Sequence, residues 1–188
     1  MSVLCLHICC APDATVAFER LIDKWKILAY FNNPNIEPVL EYEHREAEVV
    51  RLSNHFNIEY FESDRNVNPW IQAIEGFEGE REGGKRCERC ITHRLDETAR
   101  FAKENSAEAF ATTLTTSPHK NVNFIHEIGE TLQEKYGVIY LAETFRKNNG
   151  FKRSIDMCAE LGVYRQNYCG CRWSLPVMRT VREDNIKL

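Results

Sequence analysis

Six of the eight cysteines stand in close pairs, Cys9 with Cys10, Cys87 with Cys90 and Cys169 with Cys171, while Cys5 and Cys158 stand apart. Thiolates bind zinc and iron–sulfur clusters and also carry electrons as thiol–disulfide pairs. Cys87-Glu-Arg-Cys90 is expected to open a helix, where unpaired amides and the helix dipole favour thiolate over thiol. Lys85, Arg86 and Arg89 are expected to lower those pKa values further. Spacing of i and i+3 puts both sulfurs on one helical face. Alone, this pair suits a redox couple or half of a zinc site. With Cys9 and Cys10 it makes four thiolates, enough for a [4Fe–4S] cluster or a Cys₄ zinc. Adjacent cysteines fit a zinc tetrahedron poorly but can bind different irons, so the cluster is the favoured reading, with zinc and redox thiols as its rivals.

Cys169-Gly-Cys171 is a different device. Gly170 permits the bend that brings the sulfurs together, and the small-ring disulfide so formed would be strained and easily reduced. Further metal ligation is the alternative for this pair. Cys5, in an alternating apolar run, and Cys158, beside Met157 and Leu161 in a helix, read as core residues. His7 reads as a hydrogen-bonded core histidine and His119, beside Lys120, as a site candidate. His44, His55, His93 and His126 read as helical, and Trp25, Trp70 and Trp173 as packing.

The elements that must hold these residues alternate. Strands are expected at Val3–Cys9, Lys26–Phe31, Ile58–Phe61, Ala107–Thr112 and Val138–Leu141. Helices are expected at Asp13–Ile22, Glu37–Phe56, Cys87–Asn105 and Val122–Tyr136, with a charged glycine-rich loop at Gly79–Lys85. The pattern predicts an open, mostly parallel β-sheet with flanking helices in one α/β domain over residues 1–188, with 172–188 as a C-terminal extension of unassigned packing. Ligands of such sheets bind beyond the carboxyl ends of the strands. Cys9–Cys10, Asn32–Asn33 and Thr113–Lys120 should therefore line one crevice. Cysteines stand where a nucleotide-binding relative has a glycine-rich phosphate loop, which argues against ATP or NAD there.

The chain has 188 residues and a net charge of −4. The charge is unevenly spread. Glu37 to Asp64 holds eight acidic and two basic residues, Arg146 to Arg182 eight basic and two acidic. A local cation excess suits phosphates, although a solvated face is the plainer explanation. No signal peptide or apolar run of membrane-spanning length is visible, so a cytoplasmic protein without a membrane partner is expected.

Several segments resemble the cobalamin-independent epoxyqueuosine reductases of the QueH type. They are Leu6-His-Ile-Cys-Cys-Ala-Pro-Asp13, Tyr30-Phe-Asn-Asn-Pro-Asn-Ile36, Gly84-Lys-Arg-Cys-Glu-Arg-Cys90, Arg94-Leu-Asp-Glu-Thr98, Thr112-Thr-Leu-Thr-Thr-Ser-Pro-His-Lys120, Gly150-Phe-Lys-Arg-Ser154 and Gly162-Val-Tyr-Arg-Gln-Asn-Tyr-Cys-Gly-Cys171. The resemblance implies the last step of queuosine synthesis, in which epoxyqueuosine at the wobble position of a tRNA anticodon is reduced to queuosine. It implies a HUP-class (PP-loop-like) fold, cluster ligation by Cys9, Cys10, Cys87 and Cys90, and a redox-active disulfide at Cys169 and Cys171. It also implies an electron donor that the sequence does not identify.

One position departs from the family's Cys-Cys-Ala-Pro-Cys pattern: the last residue here is Asp13. Its carboxylate either caps the helix or replaces a thiolate in a metal shell. The surplus of donors suggests a second, mononuclear metal (iron or zinc), held by Asp13 and sulfurs of the Cys9/Cys10 and Cys169/Cys171 pairs. Tyr168, His119 and Asp13 are the candidate proton donors. Lys120, Arg153 and Arg165 are expected to meet tRNA phosphates, and Tyr164 or Tyr30 to stack on an unstacked base. The rival readings are a cluster-dependent tRNA thiolation enzyme, whose Ser-Gly-Gly-x-Asp-Ser loop is absent here, and a zinc-stabilised tRNA-binding module.

Overall fold

The computed structural model describes residues 1–175. Five strands, β1 (Val3–His7), β2 (Lys26–Phe31), β3 (Glu59–Glu62), β4 (Ala109–Thr112) and β5 (Ile139–Tyr140), form one sheet in the order β3-β2-β1-β4-β5. Every pairing is parallel. Buried on both faces, β1, β2 and β4 read as apolar runs rather than polar–apolar alternations, as a covered parallel sheet requires.

Period-two alternation divides the core. Leu4, Leu6, Ile27, Ala29, Phe31, Ala109 and Ala111 face helices α1 (Ala11–Leu21), α2 (Val39–His55) and α6 (Gly150–Leu161). Cys5, Tyr30 and Phe110 face α4 (Lys85–Glu104) and α5 (Val122–Tyr136). A short helix, α3 (Asn68–Ile74), packs on α4 and lies in a stretch for which the sequence suggested no element. None of the described helices is long and apolar enough to cross a membrane.

The strand order reverses between β1 and β4, so a crevice opens beyond their carboxyl ends. His7 ties that end together: its Nε2–H donates to the Asn32 carbonyl (3.2 Å) and its Nδ1 accepts from Thr112 Oγ1 (2.8 Å). The carbonyl accepts only, which settles the tautomer. Burial and the nearby Arg94 charge hold the His7 pKa well below the usual imidazole range, so the ring is neutral. This is the core histidine the sequence suggested.

Two expectations need correction. The first helix starts at Ala11, with Pro12 in its first turn and Cys10 at the N-cap. Asp13 is therefore not the cap; it lies inside the first turn, where a carboxylate suits the dipole. Tyr30 is buried and stacks on Phe101 at 4.1 Å between centroids, so it cannot receive a base.

Candidate active site

Two adjoining cavities lie at the carboxyl ends of the strands. The wide one, about 640 Å³, is lined by Cys9, Cys10 and Asp13 from the β1–α1 junction, by Ser117 to Lys120 after β4 and by Arg165 to Cys169. The narrow one, about 20 Å³, is lined by Cys87 and Cys90 at the start of α4 and by Cys169 and Cys171. Cys169, Arg94 and Lys120 border both. All three cysteine pairs thus meet in one region, with Cys9 and Cys10 on one side and Cys87 and Cys90 on the other. Cys5 and Cys158 are buried core residues.

On the wide side, Cys9 Sγ lies 3.8 Å from Cys10 Sγ and donates to Asp13 Oδ2 at 3.2 Å. One donor atom from each of Cys9, Cys10 and Asp13 falls within 4.8 Å of the others, as a single metal ion would need. Thr113 anchors this corner: its hydroxyl accepts from the Cys9 amide (3.0 Å) and reaches the Cys9 sulfur at 3.2 Å. The adjoining Cys10 thiol and burial raise the Cys9 pKa well above the ordinary thiol value. Burial pushes Asp13 up to about 6 against the pull of the Cys9 and Cys10 thiols and of the Lys120 and Arg165 charges.

A pH dependence follows for the metal-free protein. Because Asp13 holds its proton more tightly folded than unfolded, its contribution to stability is present below about pH 4 and is lost as pH rises through about 6. The loss amounts to about 1–3 kcal/mol for this half-buried group. Asp13→Asn is expected to lose less stability than the parent between pH 4.5 and 7.5, as measured by urea midpoints.

On the narrow side, Cys87 Sγ accepts the Gly83 amide at 3.2 Å. The expected lowering of these thiol pKa values by flanking cations is not what the fold provides. Burial raises both Cys87 and Cys90; the Gly83 amide, Lys120 and the expected Arg86 oppose it at Cys87, and Arg94 and Trp70 at Cys90, without reversing it. Arg89 instead lies over the Phe77 ring, and Arg86 donates to the carbonyls of Glu78 and Glu80.

The Cys169-Gly170-Cys171 turn carries two thiols and no disulfide. Lys120 Nζ lies 3.1 Å from Cys169 Sγ, so this lysine points into the site rather than out toward a phosphate. Arg45, 2% exposed on α2, holds the turn from beneath. Its guanidinium donates to the carbonyls of Cys169 (3.0 Å) and Tyr168 (3.2 Å) and to Glu41 (2.7 Å). Gly170 sits at φ +130°, and a Cβ there would stand 3.0 Å from Ile36 Cγ1 and 3.3 Å from Arg45 Nη1. Gly170→Ala is accordingly expected to cost about 1–3 kcal/mol and to displace both thiols. Denaturant midpoints and turnover should fall together.

The remaining candidates divide. Tyr168 lines the wide cavity, but its hydroxyl donates to the Glu37 carbonyl at 2.7 Å. His119 is exposed on the cavity rim, and Arg165, also exposed, borders it. Tyr164 stacks on His44 at 4.1 Å. Arg153 lies away from the thiols, paired with Glu19 (2.7 Å) and Glu160 (2.9 Å). Arg172 pairs with Glu37, and residues 176–188, with Arg179 and Arg182, lie outside the described residues.

Sequence reasoning missed Arg94 and Arg45. Arg94 is 3% exposed and donates to the Asn32 carbonyl and Asn33 Oδ1, and no carboxylate among the described residues pairs with it. With Lys120 it places two largely buried cations beside six thiols, which suits a centre that is anionic once its thiolates are bound.

Fold and site together define an open parallel α/β protein with three cysteine pairs gathered beyond the carboxyl ends of its strands. Among solved structures it resembles the U34-tRNA thiolase NcsA from Methanococcus maripaludis with its [4Fe-4S] cluster. The TM-score is 0.60 at 14% identity, over 93% of this chain and 62% of that one, a likeness of fold alone. The family model described as epoxyqueuosine reductase QueH matches residues 4–176. Epoxyqueuosine reductase QueH of Thermotoga maritima is 42% identical over 178 residues, 93% of this chain and 91% of its own. That of Streptococcus pyogenes is 41% identical over 172 residues, 88% and 68% of the two chains. The chain belongs to the QueH family of epoxyqueuosine reductases, oxidoreductases that reduce epoxyqueuosine to queuosine in tRNA modification.

Proposed function

We propose that this protein performs the last step of queuosine synthesis on tRNA, using a [4Fe–4S] cluster and the Cys169/Cys171 thiols to deoxygenate epoxyqueuosine at the wobble position. The observation that carries this reading is the convergence of three cysteine pairs, Asp13 and two largely buried cations on one cavity system. Cys9, Cys10, Cys87 and Cys90 are the proposed cluster ligands. The narrow cavity alone, lined by Cys87 and Cys90, is too small for a cluster; it shares Arg94, Lys120 and Cys169 with the wide cavity that Cys9 and Cys10 line. Asp13, with sulfurs of the Cys9/Cys10 and Cys169/Cys171 pairs, is the proposed holder of a single iron or zinc ion. When bound, such groups supply one-electron transfer and Lewis-acid polarisation of the epoxide oxygen.

The rest of the chemistry falls to the chain. Removing the oxygen takes two electrons and two protons and yields an alkene and water. Oxidation of two thiols to one disulfide releases that number of each, so Cys169 and Cys171 balance the reaction, and an external electron donor must reduce them afterwards. Lys120 Nζ, 3.1 Å from Cys169 Sγ, donates to that sulfur. Where Asp13 does not hold the ion, its carboxyl, pushed up to about 6 by burial, can carry a proton and deliver it to the departing oxygen. Tyr168, engaged with Glu37, and His119, on the rim, are the weaker donors. The wide cavity has room for one unstacked nucleotide, with Arg165 at its edge to meet a phosphate and Tyr164 nearby to stack. Lys120, held at Cys169, and Arg153, paired with Glu19 on the surface, are the less favoured phosphate contacts. The test is expression in cells that accumulate epoxyqueuosine because their own reductase is deleted. Queuosine in their digested tRNA supports the reading; epoxyqueuosine persisting beside soluble, iron-loaded protein contradicts it.

A further inference from the structure

Trp70 takes no part in the chemistry proposed above for the thiols. It sits on α3, is 2% exposed, and borders the narrow cavity with Cys87, Cys90, Cys169 and Cys171. Its indole Nε1–H is buried and has no hydrogen-bond partner. A buried donor without an acceptor is costly, and native folds seldom keep one without a use. The nearest neutral explanation is absent: Asn35 Oδ1, on the same cavity, is an acceptor that is also without a partner, so the two do not serve each other. Of the four thiols on that cavity, Cys87 meets the Gly83 amide, Cys169 the Lys120 ammonium and Cys171 the Ser174 hydroxyl, which leaves Cys90 as the one without a hydrogen-bond partner among the described residues. The indole makes no hydrogen bond to that thiol, and a metal-bound thiolate is a much stronger acceptor.

Two other proposed ligands already have such donors. Cys87 Sγ receives the Gly83 amide at 3.2 Å, and Cys9 Sγ the Thr113 hydroxyl at 3.2 Å. Hydrogen bonds to cluster sulfurs stabilise the more negative, reduced state and raise the potential. We propose that Trp70 is a positioning residue whose indole N–H donates to the Cys90 thiolate and raises the reduction potential of the cluster. The inference rests on the reading that Cys90 is a cluster ligand.

The test is a spectroelectrochemical titration of the reconstituted protein carrying Trp70→Phe, and of protein with benzothienylalanine at position 70, which keeps the bicyclic shape but has no N–H. Both are expected to hold full iron and to shift negative by about tenfold in the one-electron equilibrium, about 59 mV. Trp173→Phe, altering the ring 6.2 Å from Trp70, is expected to leave the potential in place. An unchanged potential in the benzothienyl protein overturns the proposal. It would hand the indole proton to another acceptor, such as a water bridging Trp70 to Asn35. A shift confined to Trp70→Phe also overturns it, since packing would then be the cause. Folded variants that take up no cluster overturn it too, because the N–H is assigned tuning and not assembly. Failure of the underlying reading looks different: the unmodified protein would then show no cluster chromophore.

Discussion

Protein carrying Cys87→Ser together with Cys90→Ser is expected to fold, remain colourless after reconstitution and reduce epoxyqueuosine at the background rate. Both residues lie near the start of α4 and neither is packed deep in a core cluster, so replacing sulfur with oxygen opens little cavity. The fold's stability comes from the two apolar layers around β1, which these residues do not join. Their sulfurs instead border a cavity shared with the largely buried cations Arg94 and Lys120. Serine does not ionise to replace the two thiolates beside these cations, and Lys120 then meets Glu82 at 4.0 Å as its carboxylate partner. Iron content, absorbance near 400 nm and thermal midpoint separate the outcomes. Loss of iron with an intact fold is the expected pattern. Retention of the chromophore would remove α4 from the ligand set.

Cys169→Ser and Cys171→Ser are expected to behave in the opposite way. Iron and chromophore should stay, while turnover falls on the order of 10⁴-fold or more, the scale on which one member of a catalytic unit is lost. The turn sets both thiols on the narrow cavity. Arg45 holds the carbonyls before it, Glu37 N–H holds the Gly170 carbonyl at 2.9 Å, and Lys120 meets the Cys169 sulfur. A single serine leaves this scaffold intact but cannot form a disulfide, so one two-electron turnover from the thiols becomes impossible. Thiol counting before and after a single turnover without added reductant checks the point. The parent should lose two thiols per product, and neither variant should lose any. Loss of iron from both serine variants would instead place Cys169 and Cys171 among the cluster ligands with Cys87 and Cys90, whose cavity they share.

Much of this was legible in the sequence, and what was not has a physical reason. The parallel sheet shows because β1, β2 and β4 are apolar runs separated by helical periods, and the crevice follows from where such sheets bind ligands. The cysteine pairs show by spacing. Which pairs share a cavity is tertiary information, and no spacing reveals that Cys169 lies between the other two. Arg45 and Arg94 read as ordinary surface charges on polar helices. They are buried because the 161–172 segment docks on the polar face of α2, with Tyr164 on His44, and on Glu37 just before that helix, with Arg172, and because Asn32 and Asn33 close over Arg94. The acidic and basic stretches therefore partly serve each other, which weakens the basic stretch as a phosphate-binding surface. Trp70 was passed over because α3 is too short to show a period, and an unpartnered donor is visible only in three dimensions.

The measurement that tests the central claim most directly is product analysis with purified protein. Anaerobically reconstituted protein is incubated with tRNA containing epoxyqueuosine and dithionite, and the digested nucleosides are separated by mass. The account predicts that the epoxyqueuosine peak is replaced by queuosine, lighter by one oxygen atom, only with iron-loaded protein, and beyond a single turnover only with reductant. Unchanged epoxyqueuosine with fully loaded protein, or equal conversion by protein stripped of iron, would contradict it.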